Sequence, residues 1–91
     1  MAAVFDRIRN ALAAKIGESS VAHGILVLHI APQDLPGVVG ALKDDFRFDL
    51  FLDVTAIDWL GREPRFDVVW HFYSTMHRVR VRIKTRVSEA E

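Results

Sequence analysis

Apolar side chains recur every three or four positions at the start of this chain and every second position near its end. Val4, Phe5, Ile8, Leu12 and Ile16 share one helical face and predict a helix over residues 4–16. Gly17 follows at the usual C-terminal stop position. Val21 and Ala22 predict a stub of strand, with His23 and Gly24 as the turn after it. Residues 24–30, GILVLHI, are apolar on both faces and predict a central strand. Over residues 31–46, Leu35, Val38, Val39, Leu42 and Phe46 form a second helical stripe. Pro36 is tolerated there only in the first turn, and Asp34 suits the positive N-terminal end. Gly37 and Gly40 weaken this helix, so packing against a sheet has to hold it.

Residues 46–59 contain a second full strand and residues 65–74 a third, joined by the hairpin loop LGREP at 60–64. STMH at 74–77 is the next turn. It leads into HRVRVRIKTRV, residues 77–87, where Arg78, Arg80, Arg82, Lys84 and Arg86 alternate with Val79, Val81, Ile83, Thr85 and Val87. Alternation with period two gives that strand one apolar and one cationic face. The order predicts an α+β fold: a two-layer sandwich with two helices on one face of a mixed sheet that ends in a three-strand antiparallel meander. A single domain over residues 1–91 is expected.

Turn length then predicts register. Apolar faces have to coincide, because a one-residue slip exposes a whole core face. In the third strand Phe66, Val68, Trp70 and Phe72 take one face and Asp67, Val69, His71 and Tyr73 the other. In the second, Leu50, Leu52, Val54 and Ala56 are set against Asp49, Phe51, Asp53 and Thr55. Symmetric loops place Asp53 beside His71, His71 beside Arg80, Tyr73 beside Arg78 and Asp67 beside Lys84. On this register the ribbon is basic chiefly because its neighbours are acidic. Asp58 falls on the apolar side, which marks a strand end or a capping role.

Charge and composition narrow the function. Twelve basic and twelve acidic residues give a formal net charge of zero, whereas a dedicated nucleic-acid binder carries a basic excess. There is no cysteine, which removes disulfides, thiolate metal sites, cysteine-ligated clusters and cysteine nucleophiles. No apolar run approaches the ~20 residues of a membrane span. Asp6, Arg7 and Arg9 stand where a signal peptide has its apolar stretch, so a cytoplasmic location is the default. The row Asp53, His71, Arg80 invites acid–base chemistry, but no nucleophile accompanies it and Thr55 has no positioned base. His23, His29, His71 and His77 lack metal-ligand spacing, and no phosphate loop or cofactor fingerprint occurs. The expectation is a domain without a catalytic, cofactor or metal site.

Ordered across residues 52–74 are Leu52-Asp53-x-Thr55-x-x-Asp58, then Arg65-Phe66-x-Val68-Val69-aromatic-His71, then Ser74, followed by the basic alternating strand and an acidic end. This set resembles the C-subunit family of proton-pumping NADH:quinone oxidoreductase, respiratory complex I, specifically its N-terminal domain. The likeness is good from about residue 42 to 89 and diffuse before residue 30, and Trp70 stands where the family typically has Tyr. Family members continue into a Glu-Arg-Glu…Asp segment and a tail, both beyond Glu91 here. A truncated N-terminal domain or a short paralogue is therefore expected.

The resemblance implies an accessory structural subunit of the hydrophilic arm, without flavin, iron–sulfur cluster or quinone. Such a subunit supports electron transfer from NADH to quinone by assembly with cluster-bearing and quinone-site subunits. It implies a peripheral position on the cytoplasmic side of the inner membrane, reached only through the complex. Related membrane-bound hydrogenases and other dehydrogenases use similar subunits. Asp53, Thr55, Asp58, Arg65, Phe66, His71, Arg80 and Arg82 are the motif and docking candidates. Two other classes compete. A generic protein-binding or homodimerising module would use the open sheet face or an unpaired edge. An RNA-binding domain would use strand 77–87.

Overall fold

The computed structural model describes residues 3–88. The acidic end, with Glu89 and Glu91, lies outside the described residues, as do the first two positions. Helix α1 spans Ala3–Ala11, followed by a 3-10 turn at Ala13–Lys15 and strand β1 at Ile16–Ala22. Strand β2 is Ile25–Ile30, and a second 3-10 turn at Pro32–Asp34 leads into helix α2, Leu35–Asp44. Strands β3 (Leu50–Asp58), β4 (Phe66–Ser74) and β5 (Val79–Val87) complete the chain. They form one five-stranded sheet in the order β1-β2-β5-β4-β3. Only the β2–β5 pair is parallel; β3, β4 and β5 are the expected antiparallel meander.

Both helices lie on one face of the sheet. Val4, Phe5, Ile8 and Leu12 from the first helical segment and Val38 and Leu42 from α2 meet Leu26, Leu28, Ile30, Phe72, Val81 and Ile83 in a single core cluster. Each such side chain contributes roughly 1.5–3 kcal/mol when fully buried, and Ile8, Leu26, Leu28, Val81 and Ile83 are 0% exposed. The two-layer α+β sandwich is the architecture that the hydrophobic periods demand.

Four local expectations are corrected. The first helix stops at Ala11, and Ile16 and Gly17 open strand β1 instead of ending a helix. Residues 16–22, IGESSVA, have little strand pattern of their own; antiparallel pairing with β2 makes them a full strand, closed by the two-residue turn His23-Gly24. Both turn residues have positive φ, 53° and 76°, the left-handed pair that matches strand twist in a tight hairpin. Second, the stub expected at Val21 and Ala22 is the end of a seven-residue strand, while β2 is interior as its two apolar faces predict, beside the middle strand β5.

Third, β4 and β5 pair two residues away from symmetric closure of STMH: His71 faces Arg82, Tyr73 faces Arg80 and Asp67 faces Arg86. Ser74 stays in the ladder because its buried hydroxyl donates to the Arg47 carbonyl (2.8 Å) and accepts from the His77 N–H (3.1 Å). The turn is therefore Thr75–Arg78, with Arg78 in the left-handed region at φ 57°. Fourth, a bulge between Phe51 and Asp53 switches the faces of β3. Phe51 pairs with Phe72 on the helix side and Leu50 with Tyr73 on the open side, the reverse of the expected assignment for both. The LGREP loop closes symmetrically as expected, with the Trp59 N–H donating to the Arg65 carbonyl (2.8 Å), and Asp53 lies opposite His71.

Candidate docking surface

All nine residues of β3 are exposed. The strand reads LFLDVTAID, and Leu50, Phe51, Leu52, Val54 and Ile57 are 39–57% exposed; Trp59 and Leu60 continue the patch at 46% and 80%. β3 hydrogen-bonds to β4 on one side only, so its other edge presents unpaired backbone groups beside large apolar side chains. On the helix side a groove of about 410 Å³ opens between α2 and β3, lined by Val39, Phe48, Phe51, Trp70 and Phe72 with Lys43 and Asp49 at its rim. Within it the Phe51 and Phe72 rings pack at 5.5 Å between centroids.

A strand with so little burial needs other restraints, and carboxylates supply them at both ends. At the start of β3, Asp49 accepts from the Thr75 backbone N–H (2.9 Å) and the Thr75 hydroxyl (2.7 Å). The Thr75 backbone and side-chain bonds hold the Asp49 carboxyl below its ordinary 3.8. At the far end Arg65 donates twice to Asp58 (2.7 and 2.9 Å), which lowers that carboxyl too. The Arg65 guanidinium lies 5.1 Å from the Phe66 ring centroid, in cation–π range. Asp58 is thus the strand-end residue its position implied.

Behind it, Asp67 is nearly buried and accepts from the Trp59 indole N–H (2.9 Å) and from Arg62 (2.7 Å). Burial pushes its carboxyl up. The bonds from Arg62 and Trp59, with the charges of Arg62 and Arg86, outweigh this and leave it below 3.8.

The helix-free face carries the remaining candidates. Arg82 lies between His71 on β4 and Val27 on β2, and Asp53 completes that row across the sheet. Asp53 Oδ1 is 3.8 Å from His71 Nε2, beyond hydrogen-bond reach. Arg80 lies between Tyr73 and Ile25, and Lys84 between Val69 and His29; Thr55 is opposite Val69. The expected acidic neighbours are absent from these three cations. Among the described residues only Arg86 has a cross-strand acid, Asp67. The structure therefore splits the eight candidates: Asp58, Arg65 and Phe66 cluster at the hairpin end, while Asp53, His71 and Arg82 share a row and Thr55 and Arg80 flank it.

Trp59, Arg62, Asp67, Asp49 and Thr75 were not singled out by the sequence. The signal lay at the loop: Arg62 inside LGREP and Trp59 just before it, close to Asp67, the lone carboxylate of β4. No group of three His, Cys, Asp or Glu suited to a metal occurs among the described residues. No helix among them is long and apolar enough to cross a membrane.

These features define a two-layer α+β module with one finished sheet edge, β1, and one bare apolar edge, β3. Comparison with known proteins places it further. Residues 28–91 match the family model described as respiratory-chain NADH dehydrogenase, 30 Kd subunit, and the chain belongs to that family of respiratory-complex subunits.

Similar curated proteins are the C subunit of NADH-quinone oxidoreductase from Rhodopseudomonas palustris, 41% identical over 98% of this chain and 46% of its own length, and that from Geotalea uraniireducens, 36% identical over 93% and 52%. The C subunit from Roseiflexus is 38% identical over 97% and 52%. The chain thus spans about half the length of these relatives. A chain of the archaeal membrane-bound sulfane sulfur reductase, a respiratory membrane complex, shares the fold with a TM-score of 0.76 at 21% identity, over 91% of this chain and 47% of that one.

Proposed function

We propose that this chain acts as the N-terminal domain of a C subunit, an accessory structural component of the peripheral arm of an NADH:quinone oxidoreductase. It supports electron transfer from NADH to quinone by joining cluster-bearing and quinone-site subunits, and it carries no redox centre itself. In this reading the 91 residues work as one docking unit, held at the cytoplasmic side of the inner membrane through its partners. The single observation that carries the proposal is β3: an edge strand exposed along its whole length, apolar, and stapled at both ends in a form ready to be covered. Family membership supplies the kind of partner. Asp58, Arg65 and Phe66 fix the end of the docking hairpin, while Asp53, Thr55, His71, Arg80 and Arg82 present the polar side of the same sheet.

Affinity purification of the tagged chain from its host in mild detergent tests the proposal. Recovery of NADH-quinone oxidoreductase subunits, with the quinone-site subunit among them, is the expected result. Recovery of the chain only as a homomer through β3 overturns it.

A further inference from the structure

On the helix-free face, away from the β3 edge, we infer that Arg80, Arg82 and Lys84 form a receptor for an acidic polypeptide segment. The three lie along the middle strand, and among the described residues none makes a side-chain hydrogen bond or an ion pair. Their cross-strand neighbours are Tyr73, His71 and Val69 on β4 and Ile25, Val27 and His29 on β2, so none of the three has an acid directly beside it on a neighbouring strand. Arg82 is half-buried, and its Nε is sealed from solvent without an acceptor. Val27 and Val69 are 5% and 3% exposed although they lie outside the helix-side core, which gives the stripe an apolar floor. A half-buried guanidinium on an apolar floor is where an incoming carboxylate gains most, because charge-assisted bonds strengthen as water is excluded.

Geometry favours a polypeptide over a polyphosphate. Alternate residues of a strand are about 6.7 Å apart, close to the ~6 Å rise between helix positions four apart, so carboxylates on one face of a helix or on an extended strand fall in step with the stripe. The stripe is one strand wide and bordered by acids: Glu18 on β1 and Asp53 on β3, both exposed. These borders admit a narrow acidic segment and repel a continuous phosphate backbone or an anionic membrane plane. The chain's zero net charge points the same way. This surface is separate from the β3 edge, and the inference stands without the assembly reading.

The test uses the 91-residue chain and a fluorescently labelled short polyglutamate peptide at low salt, with oligouridylate and phosphatidylglycerol vesicles as competitors. Saturable binding is expected, falling at least tenfold in Arg82→Glu and in Arg80→Glu and unchanged in Leu52→Ser. Circular dichroism of each variant separates a lost site from a lost fold, and Lys84→Gln, a milder change at one end of the same stripe, should weaken binding severalfold with the fold intact. Absence of peptide binding to the wild type, equal binding by Arg80→Glu and Lys84→Gln, or stronger binding of either competitor overturns the inference. None of these results bears on which proteins of the complex purify with the chain, so the two proposals fail independently.

Discussion

The two edges of the sheet solve the same problem in opposite ways. β1 and β3 each pair on one side only, and each leaves a row of backbone groups open. β1 carries Gly17, Glu18, Ser19 and Ser20 across its exposed centre, and it has a bulge between Ile16 and Glu18. Charge, small polar residues and an irregular edge are the devices that discourage another strand from adding on. β3 has its own bulge but keeps Leu50, Phe51, Leu52, Val54 and Ile57 in the open. Leaving one edge guarded and the other apolar gives the sheet a direction of growth. An exposed apolar row of this kind marks an interaction surface.

The largest expected effect separates the covered sheet from the bare edge. Leu28→Ala removes a side chain that is 0% exposed in the core, and should cost about 2–5 kcal/mol in urea unfolding. Leu52→Ala, at 44% exposure on β3, should stay within about 0.5 kcal/mol. Equal costs would mean that β3 is already covered in solution by another copy, and the contrast between the edges would collapse.

Next in size is binding. Val54→Lys places a charge in the middle of the bare edge and should weaken capture of the partner subunits by about 2–4 kcal/mol, the range of an interface hot spot, while the chain still folds. Ser20→Lys makes the same change on β1 and should alter neither capture nor stability by more than about 0.5 kcal/mol. If Ser20→Lys abolishes capture and Val54→Lys spares it, the roles of the edges are reversed.

How much of this could be read beforehand differs between the same two regions. The meander was legible because β5 alternates basic and apolar residues and β4 is a long run rich in aromatic and branched residues, and the symmetric LGREP loop put Asp53 opposite His71 as expected. β1 was not, because IGESSVA lacks an apolar period and owes its strand form to pairing with β2. The register of β5 failed by two residues for a local reason: the Ser74 hydroxyl finds the Arg47 carbonyl 27 positions away, a contact that no turn rule anticipates. For the same reason the acid-neutralised ribbon was misjudged. The two-residue shift puts Arg82 beside His71 and Lys84 beside Val69, and moves the acid Asp67 from Lys84 to Arg86. The family motif was visible, but the pairing of Arg65 with Asp58 appears only once the hairpin is folded.

A smaller effect probes how β3 is held. Arg62→Ala removes one of the two donors to the nearly buried Asp67. A bond to a charged group contributes roughly 1.5–3 kcal/mol, but Arg62 is 37% exposed and solvent takes over part of its role, so about 1 kcal/mol is expected. Hydrogen exchange should rise in β3 and its hairpin before it rises in β2 or β5. Uniform exchange through the sheet would show that the hairpin end is no weaker than the covered core.

The smallest effect is in acid. Asp49, Asp58 and Asp67 all sit below their ordinary value of 3.8 and all restrain β3, so the stability they contribute is fully present above that pH. As pH falls below 3.8 and through their folded values, protonation removes it, because the unfolded chain takes up protons more readily than the folded one. Among the described residues β1 has no carboxylate restraint of this kind. The bare edge should therefore loosen first, a local change preceding global acid unfolding. The Trp59 indole N–H reports it directly, since it donates to Asp67. Its resonance should titrate with a midpoint below 3.8 and lose that transition in Asp67→Asn. A midpoint at or above 3.8 would mean that burial of Asp67 outweighs its two donors, and that the guarded and bare edges do not differ in how acid reaches them.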